Sequence, residues 1–175
     1  FTLAAFWYML NVLQHNRVRD SALLGLFVGL SFATKLSVLP LLFPLAVLYG
    51  YLYYRMRREN NQALIPLPIE GLALRILTAG TVAAATFFFS TPYALLDFPD
   101  FLGWNLRELD IVRNAGTVPY TMQYVGAPNF LYELRQTIVW GLGIPLGLLA
   151  WGGFLATVVR SMWRPRFGQV LLLLW

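Results

Sequence analysis

A single lysine, Lys35, interrupts an apolar run from Ser21 to Tyr54 that is too long to cross a membrane once. At about 1.5 Å per helical residue, those 34 residues would reach about 51 Å, against a hydrocarbon core of about 30 Å. The run therefore has to fold back on itself. The natural turn is Thr34-Lys35-Leu36-Ser37 with Pro40 just beyond, because an ammonium leaves the lipid at a helix end and proline is tolerated where a new helix starts. The expectation is a pair of short spans carrying one cation at its tip.

Composition agrees. Of 175 residues, 58% are hydrophobic and 12% charged, about half the roughly 25% charge of a soluble domain. Cysteine is absent and His15 is the sole histidine, so a disulfide framework, a thiolate site or a histidine cluster is excluded, and no metal or other cofactor site is expected from this chain alone. The net charge of +5 does not point to nucleic acid, because the cations sit in short loops beside apolar segments, where they mark topology.

Read in order, the segments predict an all-α, polytopic transmembrane helix bundle: spans over 1–13, 21–33, 38–54, 71–90 and 137–159, and another opening at 170–175, all within one partial transmembrane domain. The apolar start at Phe1 and the stop within Val170-Leu-Leu-Leu-Leu-Trp175 suggest an internal piece of a larger polytopic protein. Loops 15–20, 55–70 and 160–169 hold eight arginines (Arg17, Arg19, Arg55, Arg57, Arg58, Arg160, Arg164 and Arg166) and are expected on the cytoplasmic side. Parity then puts the Lys35 turn and loop 91–136 outside, and that loop carries three arginines against five carboxylates.

The first half of the outer loop, Asp97 to Gly116, has proline near a helix start, acids in the first turn and glycine at its end. Phe98, Phe101, Leu102, Leu106, Leu109 and Val112 recur at helical spacing, which predicts an amphipathic helix lying on the outer membrane face. The second half, Val118 to Tyr132, is rich in tyrosine, amide, hydroxyl, Gly and Pro. Tyr120, Gln123 and Tyr124 combine flat rings with hydrogen-bonding tips, as sugar recognition requires; an interfacial aromatic belt is the competing reading.

Gly29-Leu-Ser-Phe-Ala-Thr-Lys35 with Leu39-Pro40, Thr91-Pro-Tyr-Ala-Leu-Leu-Asp-Phe98, Pro119-Tyr-Thr-Met-Gln-Tyr124 and Trp140-Gly-Leu-Gly-Ile-Pro-Leu-Gly147 resemble, in this order, the bacterial membrane glycosyltransferases related to protein O-mannosyltransferases, within the GT-C superfamily. The resemblance implies an enzyme of the bacterial inner membrane. Such an enzyme takes a sugar from a polyprenyl-phosphate carrier, its lipid-linked donor, and passes it to an acceptor on the extracytoplasmic side. The family's catalytic aspartate lies in a first outer loop with no counterpart in this chain, so no catalytic residue is assigned, and Asp97, Asp100 and Asp110 are not promoted to that role.

Lys35 is the candidate contact to the donor phosphate, where an outer-face ammonium would stabilise charge developing on the departing carrier; a snorkelling anchor at a helix end is the alternative. Arg107, Arg113 and Arg135 read more simply as solvated or helix-paired. Two small-residue pairs, Gly143 with Gly147 around Pro145 and Gly80 with Ala84, predict close helix packing and a kink. A transporter would place ionisable groups at the middle of broken spans, often in repeated halves, and no internal repeat is visible. A non-catalytic membrane scaffold subunit is the third class.

Overall fold

The computed structural model describes residues 1–15, 17–60, 70–114, 116–128 and 130–163. Among these the regular structure is entirely helical, with no strand. Arg164, Arg166, the segment expected to span at 170–175 and most of the loop expected after Arg58 lie outside the described residues. The chain divides into two compact units, one holding Phe1–Phe98 and the other Pro99–Gln169.

The first unit comprises α1 (Thr2–His15), α2 (Val18–Thr34), a 3-10 segment (Leu36–Leu41), α3 (Leu42–Asn60), α4 (Glu70–Ser90) and the single turn α5 (Tyr93–Leu96). The long apolar run does fold back at Lys35. Thr34 and Ser31 loosen the end of α2 by spending their hydroxyls on the helix's own carbonyls, Thr34 Oγ1 on Ser31 O and Ser31 Oγ on Phe27 O, each at 2.7 Å. Lys35 is then fully extended, with φ −163° and ψ 126°, and its amide makes a last bond to Ser31 O at 3.2 Å. The second helix opens as a 3-10 segment containing Pro40 and becomes α-helical only at Leu42. Pro44 falls in the first turn of α3, where a missing N–H costs nothing.

The core forms from residues three and four apart: Ala5, Phe6, Met9 and Val12 of α1 are buried, as are Ser21, Leu24, Gly25, Val28 and Gly29 of α2. Tyr8 stacks on Phe27 with ring centroids 5.4 Å apart, joining α1 to α2. The closest approach is between α2 and α4. A Cβ added at Gly25 would collide with the backbone of Ala79, and one at Gly29 with Ala83 O and, at 2.8 Å, with Thr86 Cβ. Glycine is required here because the two backbones touch. Position numbers rise together along this contact, so α2 and α4 run parallel. Between them in sequence, α3 returns antiparallel, bringing the Tyr49 hydroxyl beside Ser21 Oγ without a well-formed hydrogen bond and within the field of Arg75. Arg17, Arg19, Arg57 and Arg58 thereby gather at one end of the unit, with Lys35 and Thr91 at the other.

The second unit contains α6 (Phe98–Arg113, which begins at the unit boundary), a 3-10 segment (Pro119–Tyr124), α7 (Leu131–Gln136), a π-helical turn (Thr137–Gly141) and α8 (Ile144–Trp163). The span expected over 137–159 is not one helix. The π turn closes with Leu142 N bonding Thr137 O at 3.0 Å, and Gly143 adopts φ +75°, a left-handed conformation that ends the preceding helix. Pro145 sits in the first turn of α8, where its ring suits a start. The chain bends so sharply that Gly147 lies against Ile138; a Cβ at Gly147 would stand 2.8 Å from Ile138 Cα. The expected kink is therefore a break. The other expected small-residue contact is absent, since nothing among the described residues lies within 4 Å of a Cβ built at Gly80.

Among the described residues, three helices are long and apolar enough to cross a membrane: Leu36–Arg58, Gly71–Ser90 and Ile144–Trp163. They turn most of their apolar surface outward, with Leu77 66%, Phe89 90% and Leu149 73% exposed. Water would penalise such surface heavily and lipid would not. The described fold is thus all-helical, with helices that could cross a membrane.

Candidate functional site

Lys35 lies at the helix break of the first unit, exposed, on a residue whose backbone is held at both sides by bonds to Ser31 O and from Val38 N. Its ammonium is thus presented from a defined point rather than from a loose loop. Ser37 and Thr34 are exposed on either side of it, so the tip of this hairpin is the polar end of an apolar structure. An exposed ammonium at such a place can meet an anion, and it can equally reach a headgroup.

In the second unit, the tyrosine-rich segment builds a concavity of about 310 Å³ lined by Tyr124, Ala127, Pro128, Phe130, Tyr132 and Glu133. Local sequence explains its shape. Val118 is extended, Pro119 starts the 3-10 segment with its fixed φ, and Thr121 is buried with its hydroxyl bonded to Val118 O at 2.9 Å. Gly126 at φ +73° then reverses the chain, assisted by Ala127 N bonding Tyr124 O at 3.2 Å. The returning strand of chain enters α7, where Tyr132 N bonds Pro128 O at 3.2 Å.

This reversal brings Tyr132 onto Tyr124, edge to face, with centroids 5.3 Å apart and planes at 76°. The Tyr132 hydroxyl donates to Gln123 Oε1 at 3.3 Å. Gln123 is thereby held beside the cavity, which it does not itself line, while Glu133 at the lining supplies a carboxylate acceptor. Phe130 forms a rim with its ring 86% exposed, on a backbone at φ +63°, a strained conformation for a residue with a side chain. Aromatic faces with a carboxylate acceptor beside them can hold a small polyhydroxylated ring.

Of the residues singled out from sequence, only Tyr124 lines this cavity; Gln123 is joined to it through the Tyr132 hydroxyl without lining it, and Tyr120, 64% exposed, is not part of the lining either. Phe130, Tyr132 and Glu133 were missed. The signal that could have found them is the Gly126-Ala127-Pro128 sequence, which marks a turn and implies that residues flanking it on both sides meet. Among the described residues no group of three His, Cys, Asp or Glu side chains is placed to hold a metal ion. Comparison with protein families, curated proteins and solved structures finds no match to this chain.

Proposed function

We propose that this chain is part of a membrane glycosyltransferase that moves a sugar from a polyprenyl-phosphate carrier to an acceptor on the extracytoplasmic face. The observation that carries the reading is the cavity lined by Tyr124, Tyr132 and Glu133, with Gln123 held beside it by the Tyr132 hydroxyl. An aromatic belt needs the rings, but it has no use for an amide oriented by a tyrosine hydroxyl. In this reading Tyr124, with Gln123 and Tyr120 on the same turn, is the second unit's contact to the sugar or its acceptor, and Lys35 is, by itself in the first unit, the candidate contact to a carrier phosphate. The general base is a carboxylate of the full-length protein outside this chain.

Two further features support an outer-face location for this segment. Every residue of α6 is at least partly accessible, and Phe98, Leu102, Trp104, Leu106 and Leu109 are all more than two-fifths exposed, an apolar surface suited to lying in the interface. Asp100 in its first turn and Arg113 in its last complement the helix dipole. Loop 91–136 then forms the extracytoplasmic surface, with Arg17, Arg19, Arg57 and Arg58 on the cytoplasmic side.

The test is Gln123→Leu in the full-length protein, which retains approximate volume and removes both hydrogen-bonding functions. Turnover of a synthetic polyprenyl-phosphate sugar should fall about tenfold, the order expected for a hydrogen bond worth about 1–2 kcal/mol, with membrane insertion unchanged. Unaltered kinetics would return Tyr120 and Tyr124 to the aromatic belt and leave a transporter or scaffold subunit as the better reading.

A further inference from the structure

The opposite, arginine-bearing end of the first unit contains a second polar concavity, of about 260 Å³, lined by Tyr8, Asn11, His15, Arg17, Arg19 and Asp20. It forms where the last two turns of α1 meet the first turn of α2, a contact held open to polar groups because the apolar stacking of Tyr8 on Phe27 occurs deeper along the helices. The sequence reading used these arginines only as topology markers, and the sugar-transfer reading does not use them at all.

The side chains are chemically lopsided in an informative way. Two guanidinium groups, an imidazole, an amide and a phenol offer donors, and α2 begins nearby with, among the described residues, no side chain capping its first amides. Such a wall suits a phosphate. Against it stands one carboxylate, Asp20, whose Oδ2 is buried and, among the described residues, has no hydrogen-bond partner. A simple anion would satisfy the donors and leave that oxygen unpaired beside a second negative charge, which is costly. A phosphate joined by a short bridge to a primary ammonium satisfies both sides at once, since the ammonium has N–H donors to give.

The surroundings identify the source of such a group. α1 exposes Leu3 (86%) and Trp7 (64%), so the wall beside the cavity is apolar, as acyl chains require. The volume lies just below the roughly 300–1,000 Å³ of sites for drug-sized ligands, fitting a headgroup rather than a nucleotide. Basic pockets at the ends of membrane helices are where lipid headgroups lodge. We propose that this concavity binds the phosphoethanolamine headgroup of an aminophospholipid, with Arg17 and Arg19 on the phosphate and Asp20 on the ammonium.

Chain-matched lipids separate the contributions. The full-length protein, stripped of lipid in detergent, is titrated with dihexanoyl phosphatidylethanolamine, phosphatidylcholine and phosphatidylglycerol, and with free phosphoethanolamine and inorganic phosphate, reading bound ligand by native mass spectrometry. The ethanolamine lipid should bind about tenfold or more tightly than the choline lipid, which keeps the charge but has no N–H to offer Asp20. Asp20→Asn should abolish its preference over phosphatidylglycerol, and the double substitution Arg17→Gln with Arg19→Gln should weaken both. Equal affinity for the three lipids overturns the proposal. Inorganic phosphate or free phosphoethanolamine binding as tightly as the lipid also overturns it, in favour of a soluble anion or phosphoamine. Should Asp20→Asn fail to fold, the ethanolamine-to-choline ratio of the unsubstituted protein still decides.

Discussion

The α2–α4 contact and the tyrosine cavity are both built around glycine, and they use it for opposite purposes. Gly25 and Gly29 remove side chains so that two long helices can press backbone to backbone, with negative φ and an ordinary helical path. Gly126 instead supplies a left-handed φ in a turn with open space around it, and Phe130 takes a comparably unfavourable φ without being glycine. The first region is held by buried contact along several turns. The second is held by a few local hydrogen bonds and one ring pair. Position is guaranteed by packing in one and by short-range chemistry in the other, which is the usual division between a scaffold and a binding surface.

The largest effect is expected where the rigid region presents a charge. Lys35→Ala should slow turnover of a polyprenyl-phosphate sugar by roughly 10²–10³, about 2.7–4 kcal/mol, with Lys35→Arg retaining much of the rate and thermal stability hardly moving, because the side chain is exposed. Normal kinetics for Lys35→Ala would make the residue an anchor and confine function to the second unit.

Next come the glycines themselves. Gly29→Leu should destabilise the protein in detergent by about 1–3 kcal/mol or more, since the added side chain meets Ala83 and Thr86 and helix backbones cannot step aside cheaply. Gly80→Ala, facing open space on α4, should stay within about 0.5 kcal/mol of wild type. Thermal unfolding of both variants checks the pair, and equal responses would remove the contrast between packed and open glycines.

The smallest shift is expected at the cavity rim. Phe130→Gly relieves a strained φ and removes an exposed ring, so stability should rise by up to about 1 kcal/mol while donor or acceptor affinity falls. Stability and affinity falling together would mean that Phe130 is a packing residue, and that the cavity is no softer than the helix pair.

Several elements were legible before any coordinates. The turn at Lys35 follows from a length no single span can accommodate, and α6 follows from apolar residues at helical spacing between recognisable start and stop signals. The break at Gly143 was only half visible. Gly-Ile-Pro announces a disturbance, but whether a helix kinks or stops depends on whether the next turn finds something to pack on, here Ile138 against Gly147. Gly25-Leu-Phe-Val-Gly29 is as good a small-residue pair as Gly80 with Ala84, yet among the described residues it is Gly25 and Gly29 that press on another helix, while Gly80 meets nothing.

The linear chain determined what must be apolar, where runs must turn and which segments carry the polar tips, because these depend on length, periodicity and local propensity. Which faces meet was decided only in three dimensions. Pairing Gly29 with Thr86, Tyr124 with Tyr132, or His15 with Asp20 across a concavity depends on the rotation of each helix and on the angle of each turn. A helical period constrains neighbours three or four residues apart and leaves the identity of the partner helix open, so the tertiary fold alone decided which of these residues lie together.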